Sequence, residues 1–238
     1  MKRMCLAAVV TLTCAGWAVQ AAAQTAISAD GRIESTVGGF VFPDGTMQAT
    51  AAAGGAPVED TGQTACFDEN GASRDCTGTG EDGEFQAGVA WPTPRFTDNG
   101  DGTVTDNLTG LIWLKDANCP AGTKTWQQAL DWVASLNTTS IGCTDYTPMT
   151  FTDWRLPNVN ELESLTDHSA FEPALPSPNP FVNVQSAEDS HYWSSSTVVP
   201  EPTGAWAVDL GTGEVGSPPS VGAGKALLDF VWAVRGGQ

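Results

Sequence analysis

The chain has 238 residues, of which 28 are acidic and 10 are basic, and its formal net charge at pH 7 is −18. This acidic excess excludes non-specific binding of nucleic acid and opposes binding to anionic membranes, because phosphate groups repel such a surface. The length is sufficient for one sizeable hydrophobic core together with shorter segments.

Residues 1–23 are predicted to be a secretory signal peptide. Lys2 and Arg3 supply the positive start, residues 6–19 an apolar stretch, and Ala21-Ala22-Ala23 a small-residue cleavage site. The apolar stretch is too short for a stable membrane span, so we expect none in the mature chain. The predicted location is secreted or at the cell surface, and a lipid anchor at Cys14 is the alternative to simple export.

Four cysteines remain in the predicted mature chain. Cleavage removes Lys2 and Arg3, so eight basic residues face 28 acidic ones and the net charge becomes −20. An even number of cysteines in an exported chain predicts disulfides, and four cysteines allow three pairings. The two local pairings, Cys66 with Cys76 and Cys119 with Cys143, are favoured. The alternative is a four-cysteine zinc site, but the spacing lacks close CxxC pairs.

Residues 24–62 are predicted to be a stalk or linker. The segment is rich in alanine, glycine and threonine and contains no tryptophan or cysteine, so it cannot build a large core. Apolar residues around Pro43-Asp44-Gly45 predict a small hairpin. The stretch Phe42–Gln48 resembles the FPDGT-x-Q segment found beside stalks in some secreted and fibre-like bacterial proteins. A single hairpin is marginally stable, so we expect a homotrimer, with a monomer on a mobile linker as the alternative.

Residues 63–87 form a glycine- and acid-rich segment. Cys66 and Cys76 flank Asn70-Gly71, which is a strong turn signal. We therefore expect a hairpin that a disulfide closes.

Residues 88–238 are predicted to form the globular domain, because they hold all the tryptophans of the mature chain. Alternation and turn signals predict strands at 95–98, 103–106, 110–114, 191–197, 204–210 and 230–235. A helix is predicted at 125–137, with Thr125 and Gln128 as a capping box. A second helix follows Pro157, with Asn158 or Asn160 as its cap. Two helices followed by a late antiparallel sheet indicate an α+β domain.

Five motifs follow one another in the second half of the chain: Arg95–Asp106, Thr109–Trp113, Asp153–Asn158, Tyr192–Ser196 and Trp232–Arg235. Their order and spacing resemble the Lcl C-terminal domain (Lcl_C) family of bacterial extracellular modules, and the resemblance begins near Thr61. It implies a C-type-lectin-like domain, in which the chain ends meet in one sheet and long loops carry binding. It also implies a surface-displayed binding or adhesion module without enzymatic activity.

The resemblance marks six residues as a family signature, for which a structural role is favoured and ligand binding is the alternative: Asp153, Trp154, Arg155, Leu156, Pro157 and Trp193. We expect Trp154 and Leu156 to enter the core. Arg155 is expected to pair with an acidic group near the second helix, either Asp153 or Glu161.

The ligand implied by the resemblance conflicts with the charge. The best-known type of member binds sulfated glycosaminoglycans as a trimer through a basic surface. Here only Arg155, Lys225 and Arg235 follow Thr125, and a strongly acidic chain repels polyanions. We therefore expect a neutral glycan stacked on exposed tryptophan or tyrosine, or a glycan bridged by a cation.

Calcium is the one cofactor that the sequence suggests. Placing Gly102 at the glycine of an EF-hand loop leaves Thr97 and Leu108 at ligand positions, so the EF-hand fails. A site built from Asp98, Asp101 and Asp106 remains an alternative to a tight turn, and the turn is favoured. The calcium-dependent sugar site of C-type lectins does not transfer, since Ser177-Pro178-Asn179 lacks an acidic or amide first residue.

Enzymatic activity is not expected. His168 and His191 are the only histidines, and the serines after His191 sit on a strand rather than on a nucleophile elbow, so we expect them to bond to backbone groups. Two further alternatives remain. One is an oxidase of the formylglycine-generating type, which needs reactive cysteines, and the other is a structural surface component that binds no ligand.

Overall fold

The computed structural model describes residues 25–27, 33–35, 40–41, 47–48, 58–139, 141–148, 150–187, 190–216 and 224–236. The chain divides into two compact units, Met1–Ala56 and Pro57–Gln238. The predicted signal peptide at 1–23 lies outside the described residues.

The described residues of the first unit form two antiparallel pairs of short strands. Strand β1 (Thr25–Ile27) pairs with β2 (Ile33–Ser35), and β3 (Phe40–Val41) pairs with β4 (Met47–Gln48). The second pair is the hairpin predicted around Pro-Asp-Gly, so its strand pairing is confirmed. The turn residues themselves lie outside the described part of the chain.

The second unit is a mixed α+β domain, as predicted. In chain order its elements are β5 (Cys66–Phe67), β6 (Ser73–Arg74), α1 (Asp82–Phe85), β7 (Phe96–Asp98), β8 (Thr103–Asp106), β9 (Ile112–Leu114), α2 (Trp126–Leu136), α3 (Val159–Glu163), β10 (His191–Thr197), β11 (Ala205–Asp209), β12 (Val215–Gly216) and β13 (Val234–Arg235). Three antiparallel sheets have the orders β5-β6, β13-β9-β8-β7 and β10-β11-β12. The short helix α1 was not predicted.

The C-terminal segment joins the two larger sheets. Val234 lies opposite Trp113 of β9, so β13 closes the early sheet. Upstream, Phe230 accepts a hydrogen bond from the Trp193 amide at 3.0 Å and donates one to the His191 carbonyl at 2.9 Å. The prediction had grouped 230–235 with the late strands as one element. The structure instead divides this segment between both sheets.

The core is built from large aromatic side chains. Trp113, Trp193 and Trp232 are at most 1% exposed, and the rings of Trp113 and Trp232 meet edge-on at 5.5 Å. The Trp232 indole donates to the Leu114 carbonyl at 2.7 Å, and the Trp193 indole to the Lys124 carbonyl at 2.8 Å. These two indoles are buried without losing their hydrogen bonds, which is the condition for burying tryptophan favourably.

Both predicted helices are present with their predicted caps. Helix α2 begins after Thr125 and has the Thr125–Gln128 capping box. Helix α3 begins after Asn158, which forms a second capping box with Glu161. Caps of this kind satisfy N–H groups that the first helical turn leaves without partners. None of the helices in the described part of the chain is long and apolar enough to cross a membrane.

The two predicted disulfides are confirmed, Cys66–Cys76 and Cys119–Cys143. The hairpin inside the first disulfide differs in detail from the prediction. Asp68 Oδ1 accepts the amides of Asn70 and Ala72, each at 2.9 Å. The turn is therefore organised by the Asp68 side chain and not by Asn70-Gly71 alone.

Residues 58–62, which we call the N-terminal arm, belong to the second unit. The Val89 amide donates to the Val58 carbonyl at 2.8 Å, and the His168 amide donates to the Thr61 carbonyl at 3.0 Å. Composition alone assigns these residues to the predicted stalk. The structure uses them instead to build one wall of a cleft.

Candidate functional site

A cleft of about 740 Å³ opens between the N-terminal arm and the residues in and after helix α3. Its volume lies within the range of about 300–1,000 Å³ that small-ligand sites occupy. The apolar lining residues are Val58, Val89 and Leu108, and the acidic ones are Glu59, Asp60 and Glu163. The uncharged polar ones are Thr61, Thr109, Asn160, Ser164 and Thr166, and His168 completes the lining.

The apolar group forms an open wall. Val58 is 73% exposed and Val89 is 38% exposed. Val58 belongs to the arm and Val89 pairs with it through backbone hydrogen bonds, whereas Leu108 follows strand β8. Backbone pairing therefore holds exposed apolar surface in the cleft that the domain does not bury.

A buried arginine, Arg95, lies behind the cleft and bonds to one of its lining residues, Ser164. The Arg95 guanidinium is 4% exposed and binds Asp106 through two hydrogen bonds of 2.8 and 3.2 Å. It also donates to the Ser164 carbonyl at 2.6 Å, which ties the residue before β7 to the residue that follows α3. A bidentate charged pair of this kind is geometrically specific. It therefore fixes the orientation of the guanidinium that bonds to Ser164, a residue that lines the cleft.

Glu59 is the most unusual group in the cleft. Its Oε2 atom lies 3.7 Å from Arg95 Nη2, within ion-pair distance but beyond a hydrogen bond, and that oxygen is buried without a partner. Burial raises the pKa of Glu59 to about 7, opposed by Arg95 and reinforced by the carboxylates of Asp106 and Glu163. Near neutral pH this carboxyl group therefore exists in both forms and can accept or donate a hydrogen bond.

The remaining polar side chains are placed by local contacts. Thr166 donates to the Glu163 carbonyl at 2.8 Å, and its Oγ1 lies 3.4 Å from His168 Nε2. Asn160 and Glu163 lie on α3, which the Asn158 cap orients. The cleft thus offers hydrogen-bond donors and acceptors. Those of Asn160 and Glu163 lie on a helix whose first turn is fixed by its cap.

Comparison with known proteins gives the family. The sequence model of the Lcl C-terminal domain family matches residues 102–235, which is more than half of the chain. The chain belongs to the Lcl C-terminal domain family. No curated protein and no solved structure matches it.

The cleft spans the edge of the matched Lcl_C region. Leu108, Thr109 and the lining residues from Asn160 to His168 lie inside residues 102–235. The arm and Val89 lie before them. In this Lcl_C protein, one wall of the cleft therefore comes from chain that the family model does not cover.

The signature residues of the Lcl_C domain have structural roles. Trp154 and Leu156 are each 3% exposed, which confirms that they enter the core. Arg155 binds both oxygens of Glu161 at 2.6 Å, which confirms that predicted pair, and it also donates to the Gly236 carbonyl. None of these residues is among those that line the cleft.

Three other signature residues have separate partners. Asp153 pairs with Arg235 at 2.7 Å rather than with Arg155. The Pro157 carbonyl accepts the Ser195 amide at 2.7 Å, and Trp193 is fully buried. These contacts join the segment before α3 to the late strands.

The structure does not bring Asp98, Asp101 and Asp106 together. Asp98 binds Lys115 Nζ at 2.9 Å, and Asp106 is buried against Arg95. Asp101 Oδ1 accepts the Thr103 amide at 3.0 Å.

Within the ranges that the structure describes, no three histidine, cysteine, aspartate or glutamate side chains are grouped to hold a metal ion. The arrangement is that of a tight turn, with Gly100 and Gly102 at φ of 75° and 80°.

The expected aromatic platform is only partly available. Both tyrosines are buried, with Tyr146 4% and Tyr192 0% exposed, so the expectation of an exposed tyrosine is wrong. Four of the eight described tryptophans are buried, and four are half-buried: Trp91, Trp126, Trp132 and Trp206. None of the eight lines the cleft.

The histidines and serines show no nucleophile arrangement in the described residues. His191 is buried with Nδ1 3.9 Å from Asp229 Oδ1, whereas His168 faces the cleft. Ser194 donates to the Trp206 carbonyl at 2.7 Å, and Ser196 accepts the Val159 amide at 3.1 Å. These two serines bond to backbone groups, as predicted.

Sequence reasoning missed Glu59 and Glu163. Glu59 lies in an alanine- and glycine-rich stretch that was interpreted as a stalk, and its partners Arg95 and Glu163 are distant in the chain. No local spacing connects the three. Only the pairing of the arm with Val89 brings Glu59 to the cleft.

Proposed function

We propose that this Lcl_C protein is an exported, surface-displayed, non-enzymatic binding or adhesion module that takes an extracellular glycan in the cleft. The observation that carries the proposal is the lining, in which carboxylates, hydroxyls, an amide and an imidazole face an apolar wall. A sugar has the matching pattern, since hydroxyl groups edge a ring whose faces are largely apolar. Sites with apolar surface and a few placed polar groups are typical of small ligands.

Charge supports a ligand that is not a polyanion. Three carboxyl groups line the cleft, and among its lining residues none is lysine or arginine. Sulfated glycans would meet repulsion there as well as from the acidic chain as a whole. This Lcl_C protein is therefore proposed to differ in ligand from glycosaminoglycan-binding members.

Two features support export and display. The N-terminal residues have the pattern of a signal peptide, and the two disulfides suit an oxidising compartment. Both disulfides together use all four cysteines of the predicted mature chain, which disfavours thiol chemistry of the formylglycine-generating type. A C-type-lectin-like domain on a trimeric stalk remains the proposed architecture.

The test is binding of the mature chain to a glycan array, followed by calorimetry on the strongest hits. We expect Asn160→Ala and Leu108→Asp to weaken binding about tenfold or more, since each removes part of the lining. Glu201→Gln, which changes a residue outside the lining, should leave the affinity unchanged. An array without hits, or hits that both cleft variants retain fully, would refute the proposal.

Multivalent display is tested separately by light scattering. The mature chain is compared with a version that begins at Pro57, where the second unit starts. A trimer that becomes a monomer on truncation supports the stalk. Monomers in both cases would remove the stalk from the proposal and leave a single-site binding module.

A further inference from the structure

We propose that the cleft selects glycans with free amino groups and that the Glu59 carboxylate is the counter-ion for the sugar ammonium. This inference rests on the proposed function and specifies its ligand class.

The positive charge behind the cleft is directed mainly at Asp106 and the backbone, although the Nη1 atom of Arg95 has no hydrogen-bond partner. Arg95 is almost completely buried and gives two hydrogen bonds to Asp106 and one to the Ser164 carbonyl. Glu59 lies 3.7 Å from the same guanidinium but receives no hydrogen bond from it. Arg95 therefore satisfies Asp106 in preference to Glu59.

Glu59 is the carboxyl group in the cleft to which a ligand can donate a hydrogen bond. Its side chain is 31% exposed, while Oε2 is buried on the side of Arg95. The exposed part of the carboxyl group therefore faces the cleft that Glu59 lines. An ammonium in the cleft has three N–H donors and a positive charge, and it can bond to the exposed oxygen of this carboxylate while Oε2 stays beside Arg95.

The rest of the lining favours a sugar amine over a lysine side chain. Asn160, Thr166 and His168 offer donors and acceptors at the same cleft, and Val89 and Leu108 offer apolar surface. An amino sugar presents hydroxyl groups, an apolar ring face and an ammonium within one small unit. A lysine side chain presents the ammonium on an apolar stem and leaves the hydroxyl-binding groups without partners.

Proton binding gives the proposal a distinctive signature. The groups that act on Glu59 are Arg95, Asp106 and Glu163, with Asp60 and His168 also lining the cleft. Burial raises the pKa of Glu59 to about 7, so an ammonium competes with a proton for this carboxyl group. The amine of a glucosamine oligomer itself loses its proton near neutral pH, so affinity for an amino sugar should pass through a maximum near pH 7 and fall on either side.

The experiment compares two oligosaccharides of equal length, fully deacetylated and fully acetylated glucosamine oligomers, by calorimetry on the mature chain. We expect the deacetylated oligomer to bind about tenfold more tightly near pH 7, where ammonium and carboxylate are both present, as a charged hydrogen bond would give. Glu59→Gln should reduce that preference to about twofold and remove the loss of affinity on the acidic side, which comes from this carboxyl group. Glu201→Gln is the matched control and should retain both, which excludes attraction to the acidic chain in general.

Three results would overturn the inference. Equal or tighter binding of the acetylated oligomer at the cleft would leave the glycan proposal standing and remove the amine preference. An oligolysine peptide that binds in the cleft more tightly than the deacetylated oligomer would replace the glycan by a protein ligand. A blank glycan array together with no binding of either oligomer would remove the proposed function as well. Circular dichroism of each variant, with Glu163→Gln as a second cleft variant, separates lost binding from lost folding.

Discussion

The sheet core and the disulfide hairpin are ordered by different physical effects, although they belong to one compact unit. In the core, Val104, Trp113 and Trp232 are at most 1% exposed. In the hairpin segment, residues 64–86, Phe67 is 50% and Phe85 66% exposed. The core is stabilised by the burial of apolar surface, whereas the hairpin segment buries very little apolar surface.

The hairpin segment relies on a cross-link and on carboxylates that bond to the backbone. Glu84 accepts the amides of Gly78 and Gly80 at 2.7 and 2.8 Å, and Glu81 pairs with Arg74. Asp68 plays the same part inside the turn. The lesson is that polar side chains can define a segment locally where too few apolar residues exist to bury.

The two regions should differ most in how much one aromatic side chain contributes to the free energy of unfolding, because only the core buries such a side chain. Trp232→Ala should lower the free energy of unfolding by about 3–5 kcal/mol, since it removes a ring packed against Trp113 and Phe181. Phe85→Ala, at an exposed aromatic residue of the hairpin segment, should cost about 0.5 kcal/mol or less. Chemical denaturation followed by tryptophan fluorescence measures both. Equal losses would show that the hairpin segment shares the core.

Each disulfide should stabilise a different region of the domain. The Cys119–Cys143 and Cys66–Cys76 bridges span 24 and 10 residues, and loop entropy gives about 3 kcal/mol for each. Replacing Cys119 and Cys143 by alanine should lower the midpoint of global unfolding. Replacing Cys66 and Cys76 should mainly speed amide exchange within residues 64–86. Unchanged exchange there would mean that the polar contacts suffice alone.

The partly or fully buried carboxyl groups of Glu59 and Asp229 and the exposed carboxylates of the hairpin segment should respond oppositely to pH. Burial raises the pKa of Glu59 and of Asp229 to about 7 each, from ordinary values of 4.5 and 3.8. Both groups bind protons more tightly in the folded state, so their stabilisation is complete below about pH 4 and is lost as pH rises to 7. Hydrogen bonds from Arg74 and Gly80 lower the pKa of Glu81 and Glu84, so the hairpin segment loses stability only as pH falls below about 4.5.

The pH experiment is denaturation of the wild type and of single variants from pH 4.5 to 7.5. Glu59→Gln and Asp229→Asn should each flatten the decline, by at most about 1.4 kcal/mol per pH unit. Asp98→Asn is the control, because its Lys115 partner lowers the pKa of Asp98 and moves any effect below this range. A stability that rises across the interval in the wild type would contradict the assignment.

The smallest expected effect concerns the helix that carries the cleft. Asn158→Ala removes the cap of α3 and should cost about 1 kcal/mol, because the Glu161 amide loses its partner. Thr125→Ala at the cap of α2 is the matched variant and should cost a similar amount. Only Asn158→Ala should also weaken glycan binding, since Asn160 and Glu163 lie on α3. Equal binding by both variants would show that the cap does not position the cleft.

Local sequence patterns by themselves determined much of this protein. The two capping boxes, the strands at 103–106 and 191–197, and the α+β class follow from periodicity and turn chemistry, which act over a few residues. The cysteine count, with loop length, correctly favoured the two local disulfides. The ordered motifs led to the Lcl C-terminal domain family, and its match confirms that assignment.

Only the tertiary structure decided where the cleft lies and which groups meet in it. The arm residue Glu59 reaches Arg95 and Glu163 through a backbone pairing with Val89, and composition alone placed that arm in a stalk. The C-terminal segment is divided between two sheets for the same reason, since strand partners distant in the chain are chosen by packing. Burial then sets the charge of Glu59 and Asp229, and burial depends on the whole fold rather than on neighbouring residues.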